Sequence, residues 1–134
     1  MYSVIVFDLG NVLLPFDYSI MLNRFNKLKP GLGDKFAKLY SENYDIHRNF
    51  ESGKISNEEF ISIMVERLEN KVSGEEFCKI FSSVFSLNQN VIDLLPKLKK
   101  NYKLCLLSNT NEIHKKYGYE HYDFFKNFDK LFLS

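Results

Sequence analysis

Short apolar runs and long stretches of helical periodicity alternate along the chain. Ser3-Val4-Ile5-Val6-Phe7 is apolar and β-branched at consecutive positions, the pattern of a strand buried on both faces. From about Tyr18 to Phe85 the apolar residues instead recur at helical spacing, interrupted at Pro30-Gly31 and at Glu51-Ser52-Gly53-Lys54. Ser56-Asn57-Glu58-Glu59 and Ser73-Gly74-Glu75-Glu76 both fit the capping box that starts a helix. Behind them, Ile61, Met64, Val65 and Leu68 form one apolar face, and Phe77, Ile80, Phe81 and Val84 another. Asn88 is placed to cap a further helix over Val91 to Lys100, broken or kinked at Pro96. A second buried strand, Lys103 to Leu107, follows, then a short helix near Glu112 to Lys116 and a last strand at Lys130 to Leu133. The order strand, helical insertion, helix, strand, helix, strand predicts an α/β fold with a parallel sheet. Its core is residues 1–15 and 87–134, and 16–86 form the helical insertion.

Composition narrows the class without naming a function. At 134 residues with 45% hydrophobic and 26% charged content, the chain is ordinary globular sequence. The formal net charge of +1 provides no field to recruit nucleic acid or an anionic membrane. The longest apolar run, Val12 to Phe16, is far below the ~18 residues of a membrane span. Asp8 interrupts the opening apolar run with no basic segment before it, so no leader peptide is expected. Cys78 and Cys105 form no CxxC pair and read as small buried hydrophobes, so a reducing, cytoplasmic setting is expected.

The chemistry-bearing residues gather at strand ends. Asp8 follows the first strand directly, and Ser108-Asn109-Thr110-Asn111 follows the second. Each alone is an ordinary turn or helix cap. Together, at the carboxyl ends of two parallel strands, they occupy the place where open α/β sheets bind ligands.

With these residues in view, the chain resembles the haloacid dehalogenase-like hydrolase superfamily. Val6-Phe7-Asp8-Leu9-Gly10-Asn11-Val12-Leu13 is similar to its first motif, and Leu106-Leu107-Ser108-Asn109-Thr110-Asn111 to its second. Within the superfamily, Asp-Leu-Gly-Asn, the Gly53-x-Ile55-Ser56 turn and Ser-Asn-Thr-Asn look most like the α-glucose-1-phosphate phosphatase branch. The resemblance implies an incomplete Rossmann-like sheet with a small α-helical cap over the site. It implies that Asp8 is the nucleophile, forming an aspartyl-phosphate intermediate. It implies Mg²⁺ held by Asp8 and the backbone carbonyl of Gly10, since an anion must otherwise attack an anion. Ser108 and the amides of Asn109, Leu9 and Asn11 would bind the phosphate of a small phosphorylated metabolite.

Two departures qualify that expectation. Most phosphatases of the superfamily carry a second Asp where this chain has Gly10, acting as general acid; its loss typically removes ~10²–10⁴ in rate. An anomeric sugar phosphate tolerates the loss best, because its leaving group is better. The family also has a lysine and an acidic strand end beyond the third strand. Lys130 precedes that strand, and Lys115 and Lys116 read as solvated helix charges. The 134 residues are therefore expected to be a truncated form, inactive alone and prone to pair through the exposed edge of Ser3 to Phe7. A metal-free dehalogenase and a non-catalytic binding module are the alternatives.

Other candidates carry less. His47, near Arg48 and Asn49, reads as a surface helix residue. His114 and His121 flank an aromatic cluster including Tyr117, Tyr119 and Tyr122 that reads as packing, with no zinc-ligand spacing.

Overall fold

The computed structural model describes residues 3–133. Three strands, β1 (Val4–Phe7), β2 (Lys103–Ser108) and β3 (Lys130–Leu133), form one parallel sheet in the order β1-β2-β3. Phe7 pairs with Leu106 and Ser108 with Leu133, so the carboxyl ends of all three strands lie together. At the β2–β3 junction, the Leu104 amide donates to Asp129 Oδ2 at 2.9 Å and Asp129 N–H returns a bond to the Leu104 carbonyl at 2.7 Å.

After β1 the chain first builds five helices of the insertion: α1 (Tyr18–Leu28), α2 (Leu32–Glu42), α3 (Tyr44–Glu51), α4 (Asn57–Arg67) and α5 (Gly74–Phe81). The two capping boxes form as read: Ser56 accepts from the Glu59 amide and Ser73 from the Glu76 amide, each at 3.1 Å. Helices α1 and α2 cross at Gly33, where a Cβ would stand 2.1 Å from the Leu22 carbonyl oxygen. The Gly33 amide donates to Asn26 Oδ1 at 2.7 Å, which fixes the crossing. Phe25, Phe36, Phe60, Phe77 and Phe81 fill the centre of this helical layer; α4 contributes Phe60 and Met64 as buried residues, with Ile61 only partly buried. A second cluster, with Leu13, Leu14, Leu95, Leu104, Leu106 and Tyr119, lies under the sheet.

Two segments join the layers. Phe16 leaving the sheet and Phe85 returning to it pair as an antiparallel bridge, with Asp17 N–H bonded to Val84 O and Ser86 N–H to Pro15 O. This paired stalk, with the Phe16 and Phe85 rings edge to face at 6.4 Å, holds the helical layer over the strand ends.

Several expectations change. Helix α6 (Gln89–Ile92) and helix α7 (Leu95–Lys99) replace one longer helix, Pro96 lying in the first turn of α7. Asn88 stands at the start of α6, but its side-chain amide donates to the Val12 carbonyl at 2.9 Å instead of capping. The strands are covered on one face only. Leu104 and Leu106 are fully buried, whereas Val6 and Leu107 are each 60% exposed and Phe132 51%. Consecutive apolar residues promised two covered faces, yet among the described residues the helices pack against one.

Candidate functional site

The site begins with register. Asp8 lies one residue beyond Phe7 and Ser108 two beyond its partner Leu106, on neighbouring strands spaced about 4.8 Å apart. The sequence-predicted nucleophile and phosphate-binding serine therefore both lie at the carboxyl end of the sheet, one register step apart. Asp8 is exposed, and one carboxylate oxygen, Oδ1, accepts from the Leu9 amide at 2.7 Å.

After Asp8 the chain turns tightly. Leu14 N–H bonds to the Leu9 carbonyl, and Asn11 N–H to the Leu14 carbonyl, at 2.9 Å each. Asn11 takes a left-handed conformation, φ 59°, and its Oδ1 accepts from the Phe16 amide. Two of the amides expected around a phosphate, those of Leu9 and Asn11, are thus engaged within the turn. The Gly10 carbonyl takes no part in the turn's bridge and stays available as an oxygen donor.

Ser108 is buried at the end of β2. Asn111 caps the short helix α8 (Glu112–His114), its Oδ1 accepting from the His114 amide at 2.8 Å. A π-helical turn, Lys115–Tyr119, swings Tyr119 back so that its hydroxyl donates to Thr110 Oγ1 at 2.6 Å. Tyr119, read from sequence as packing, therefore also anchors the Ser108–Asn111 loop.

A cavity of about 350 Å³ opens between this loop and the helical layer. Its floor is Leu9, Gly10 and Ser108 to Asn111; its walls include Tyr18, Tyr40, His47, Glu51 and His114. Asp8 lies outside the lining, exposed beside Leu9. A second space, of about 380 Å³, runs between Arg48, Glu51 and Ser52 of the helical layer and Asn109 and Thr110. His47 corrects the surface reading: it is 8% exposed, because the α3 face carrying it turns inward against Tyr40, Phe60 and Phe81. The spacing of His47 and Glu51, one turn apart, was the sequence signal that could have found this pair.

The walls shift protonation. Burial, reinforced by the nearby charge of His47, lowers the His114 pKa to about 4, so its imidazole is neutral at pH 7. Tyr40 is pushed well up, first by burial and then by Tyr18, Tyr44 and Glu51. Tyr18 is raised by burial and by Glu51. Both phenols stay protonated.

No family model matches the chain. It is 31% identical over 113 residues to a D-ribitol-5-phosphate phosphatase of Bacteroides thetaiotaomicron, a match covering 83% of this chain and 54% of that enzyme. The chain thus spans about half the length of the curated relative it matches. A haloacid dehalogenase (HAD) family enzyme of the same organism, solved with magnesium and inorganic phosphate, superposes with a TM-score of 0.77 at 29% identity, covering all of this chain and 69% of that structure. In sequence and fold the chain resembles the haloacid dehalogenase-like hydrolase superfamily. A HAD-like hydrolase of Porphyromonas gingivalis, 23% identical, shares the fold with a TM-score of 0.72, covering 98% of this chain and 66% of that structure. The three-stranded sheet with Asp8 at the end of β1 is the part of the HAD fold that this chain supplies.

Among the described residues no group of three or more His, Cys, Asp or Glu converges on a metal position. The exposed Asp8 carboxylate and the Gly10 carbonyl are hard oxygen donors with open space for water. That set suits a largely hydrated Mg²⁺.

Proposed function

We propose that the chain carries the nucleophile and phosphate-binding part of a Mg²⁺-dependent phosphomonoester hydrolase acting on a small sugar or polyol phosphate. One observation supports this above all: the parallel register brings Asp8 and Ser108 to the same carboxyl edge of the sheet, where Ser108 lines a cavity roofed by the helical layer. The magnesium- and phosphate-bound structure of its relative supports the same reading.

In this reading the free oxygen of Asp8 attacks phosphorus, the bond to the leaving oxygen breaks with its electron pair, and a water later cleaves the aspartyl phosphate. Mg²⁺, held by Asp8 and the Gly10 carbonyl, would offset the repulsion between carboxylate and phosphate. Ser108 donates to a non-bridging oxygen, with the Asn109 amide beside it. The Leu9 and Asn11 amides join only if they exchange their present acceptors for phosphate oxygens. Gly10 supplies no proton to the leaving oxygen, so substrates with good leaving groups, a hexose 1-phosphate among them, are favoured. The helical layer, residues 16–86, serves as the cap that sets substrate shape. With two protein donors the cation stays mostly hydrated and weakly held, so turnover by these 134 residues alone is expected to be low.

The test is Asp8→Asn. The variant keeps its melting temperature and loses whatever Mg²⁺-dependent hydrolysis the wild type shows. Intact mass after incubation with an acyl phosphate is expected to show a phosphoryl adduct on the wild type alone. An adduct on the variant would remove Asp8 from the nucleophile role.

A further inference from the structure

Phosphate chemistry leaves one feature of the cavity unused. His47 Nε2 lies 2.6 Å from Glu51 Oε1. A carboxylate only accepts, so Nε2 carries the proton, and in the neutral ring Nδ1 is a bare lone pair. Nδ1 is buried and has no hydrogen-bond partner among the described residues. Buried acceptors without donors are rare, because the lost hydration is not replaced. The Tyr40 ring meets the imidazole edge to face at 5.0 Å, and the Tyr44 ring stacks on it at 5.7 Å.

His114, in the wall of the same cavity, repeats the arrangement. The Ser82 hydroxyl donates to the Ile113 carbonyl at 3.1 Å, so its oxygen accepts from His114 Nδ1–H at 3.3 Å. The His114 proton is thereby on Nδ1, and Nε2 is again the lone pair. The ring stacks on Phe81 at 4.5 Å, which fixes its plane. Two imidazole lone pairs, Nδ1 of His47 in its neutral ring and Nε2 of His114, call for hydroxyl donors rather than carboxylates.

We propose that His47, oriented by Glu51, binds a hydroxyl group of the substrate's non-phosphate end, with His114 as a second acceptor. The ligand class is a small polyhydroxylated phosphate without a carboxylate. This rests on the phosphatase reading and adds the residues that select its substrate. Nδ1 is closed from water, and the ring of Tyr40, which lines the cavity with His47, turns aside to admit the ligand hydroxyl.

The experiment compares D-ribitol 5-phosphate, glucose 1-phosphate, a carboxylated three-carbon phosphate and inorganic phosphate, each titrated calorimetrically with Mg²⁺. Wild type is expected to bind one of the two polyhydroxylated phosphates more tightly than inorganic phosphate, and the carboxylated one no better than inorganic phosphate. His47→Phe, which keeps the ring packing, is expected to lose about 10-fold in affinity for that ligand and nothing for inorganic phosphate. Equal losses for both ligands, or no loss, overturn the proposal. Should His47→Phe fail to fold, Glu51→Gln, altering a half-exposed side chain, is expected to weaken the same ligand selectively; unchanged affinity overturns the assignment. Imidazole ¹⁵N spectra provide a readout independent of phosphate: free ribitol at high concentration is expected to shift the His47 Nδ1 resonance. If inorganic phosphate fails to bind wild type, the phosphatase reading falls. The ribitol titration still decides the hydroxyl site, and an unmoved resonance overturns it.

Discussion

The wall histidine His114 makes a quantitative prediction about stability and pH. Its folded pKa is about 4 against about 6.5 for an unperturbed imidazole, because burial disfavours the cation and His47 adds repulsion. Phe81 and Phe85 cover its ring, and Ser82 holds Nδ1. The unfolded chain therefore binds a proton between pH 6.5 and 4 that the folded chain refuses. Stability contributed by the neutral ring is fully present above pH 6.5 and declines as pH falls through this window. One pKa unit corresponds to about 1.4 kcal/mol, so the loss is roughly 2 kcal/mol from pH 7 to 5 and approaches 3 kcal/mol by pH 4. Urea denaturation of wild type and His114→Phe at pH 7, 6, 5 and 4 isolates the effect, because other titrating groups are common to both proteins. Phe retains the stack on Phe81, and Ser82 retains its bond to Ile113. The stability difference between the two proteins is expected to shift in favour of His114→Phe by about 2 kcal/mol between pH 7 and 5. A difference independent of pH, or a His114 resonance titrating near 6.5, would refute the buried neutral imidazole.

Three further outcomes are expected. A Cβ at Gly10 would meet only the Phe16 ring, at 3.4 Å from Cε1 and 3.9 Å from Cδ1, and Gly10 needs no positive φ, so Gly10→Asp is expected to fold with a melting temperature near wild type. In a steady-state panel of phosphates that variant should gain most on primary alkyl phosphates, where a proton to the leaving oxygen matters most; a gain uniform across the panel would count against the missing-acid explanation. Gly33→Ala drives a methyl into the Leu22 carbonyl, at 2.1 Å, and is expected to destabilise by about 3 kcal/mol or more in thermal melts as α1 and α2 separate. The apolar sheet face of Val6, Leu107 and Phe132, beside the edge strand β1, is expected to drive self-association measurable by light scattering. Val6→Lys combined with Leu107→Lys should shift the chain toward monomer, and an unchanged mass distribution would place the contact elsewhere.

Local signals decided much of this protein. Helix starts at Ser56 and Ser73 were legible because a capping box is complete within four residues and needs no distant partner. The three strands were legible as apolar runs, and parallel pairing followed from the helices between them, since a parallel crossover needs such a span. Asp8 and Ser108 could be placed at one edge of the sheet because position in a parallel sheet follows from strand order, and both residues directly follow or end a strand. Tertiary structure decided what no window of sequence contains. An apolar run does not reveal how many faces will be covered, so Val6 and Leu107 read as buried and are exposed. Asn88 matched a helix cap, yet a carbonyl 76 residues away, that of Val12, took its amide. The rotational setting of α3 on Phe60 and Phe81 turned His47 inward, and the stalk of Phe16 and Phe85 brought that helix over the Ser108 loop. Those placements come from packing between segments far apart in the chain, where the energy of each contact depends on both partners being in position at once.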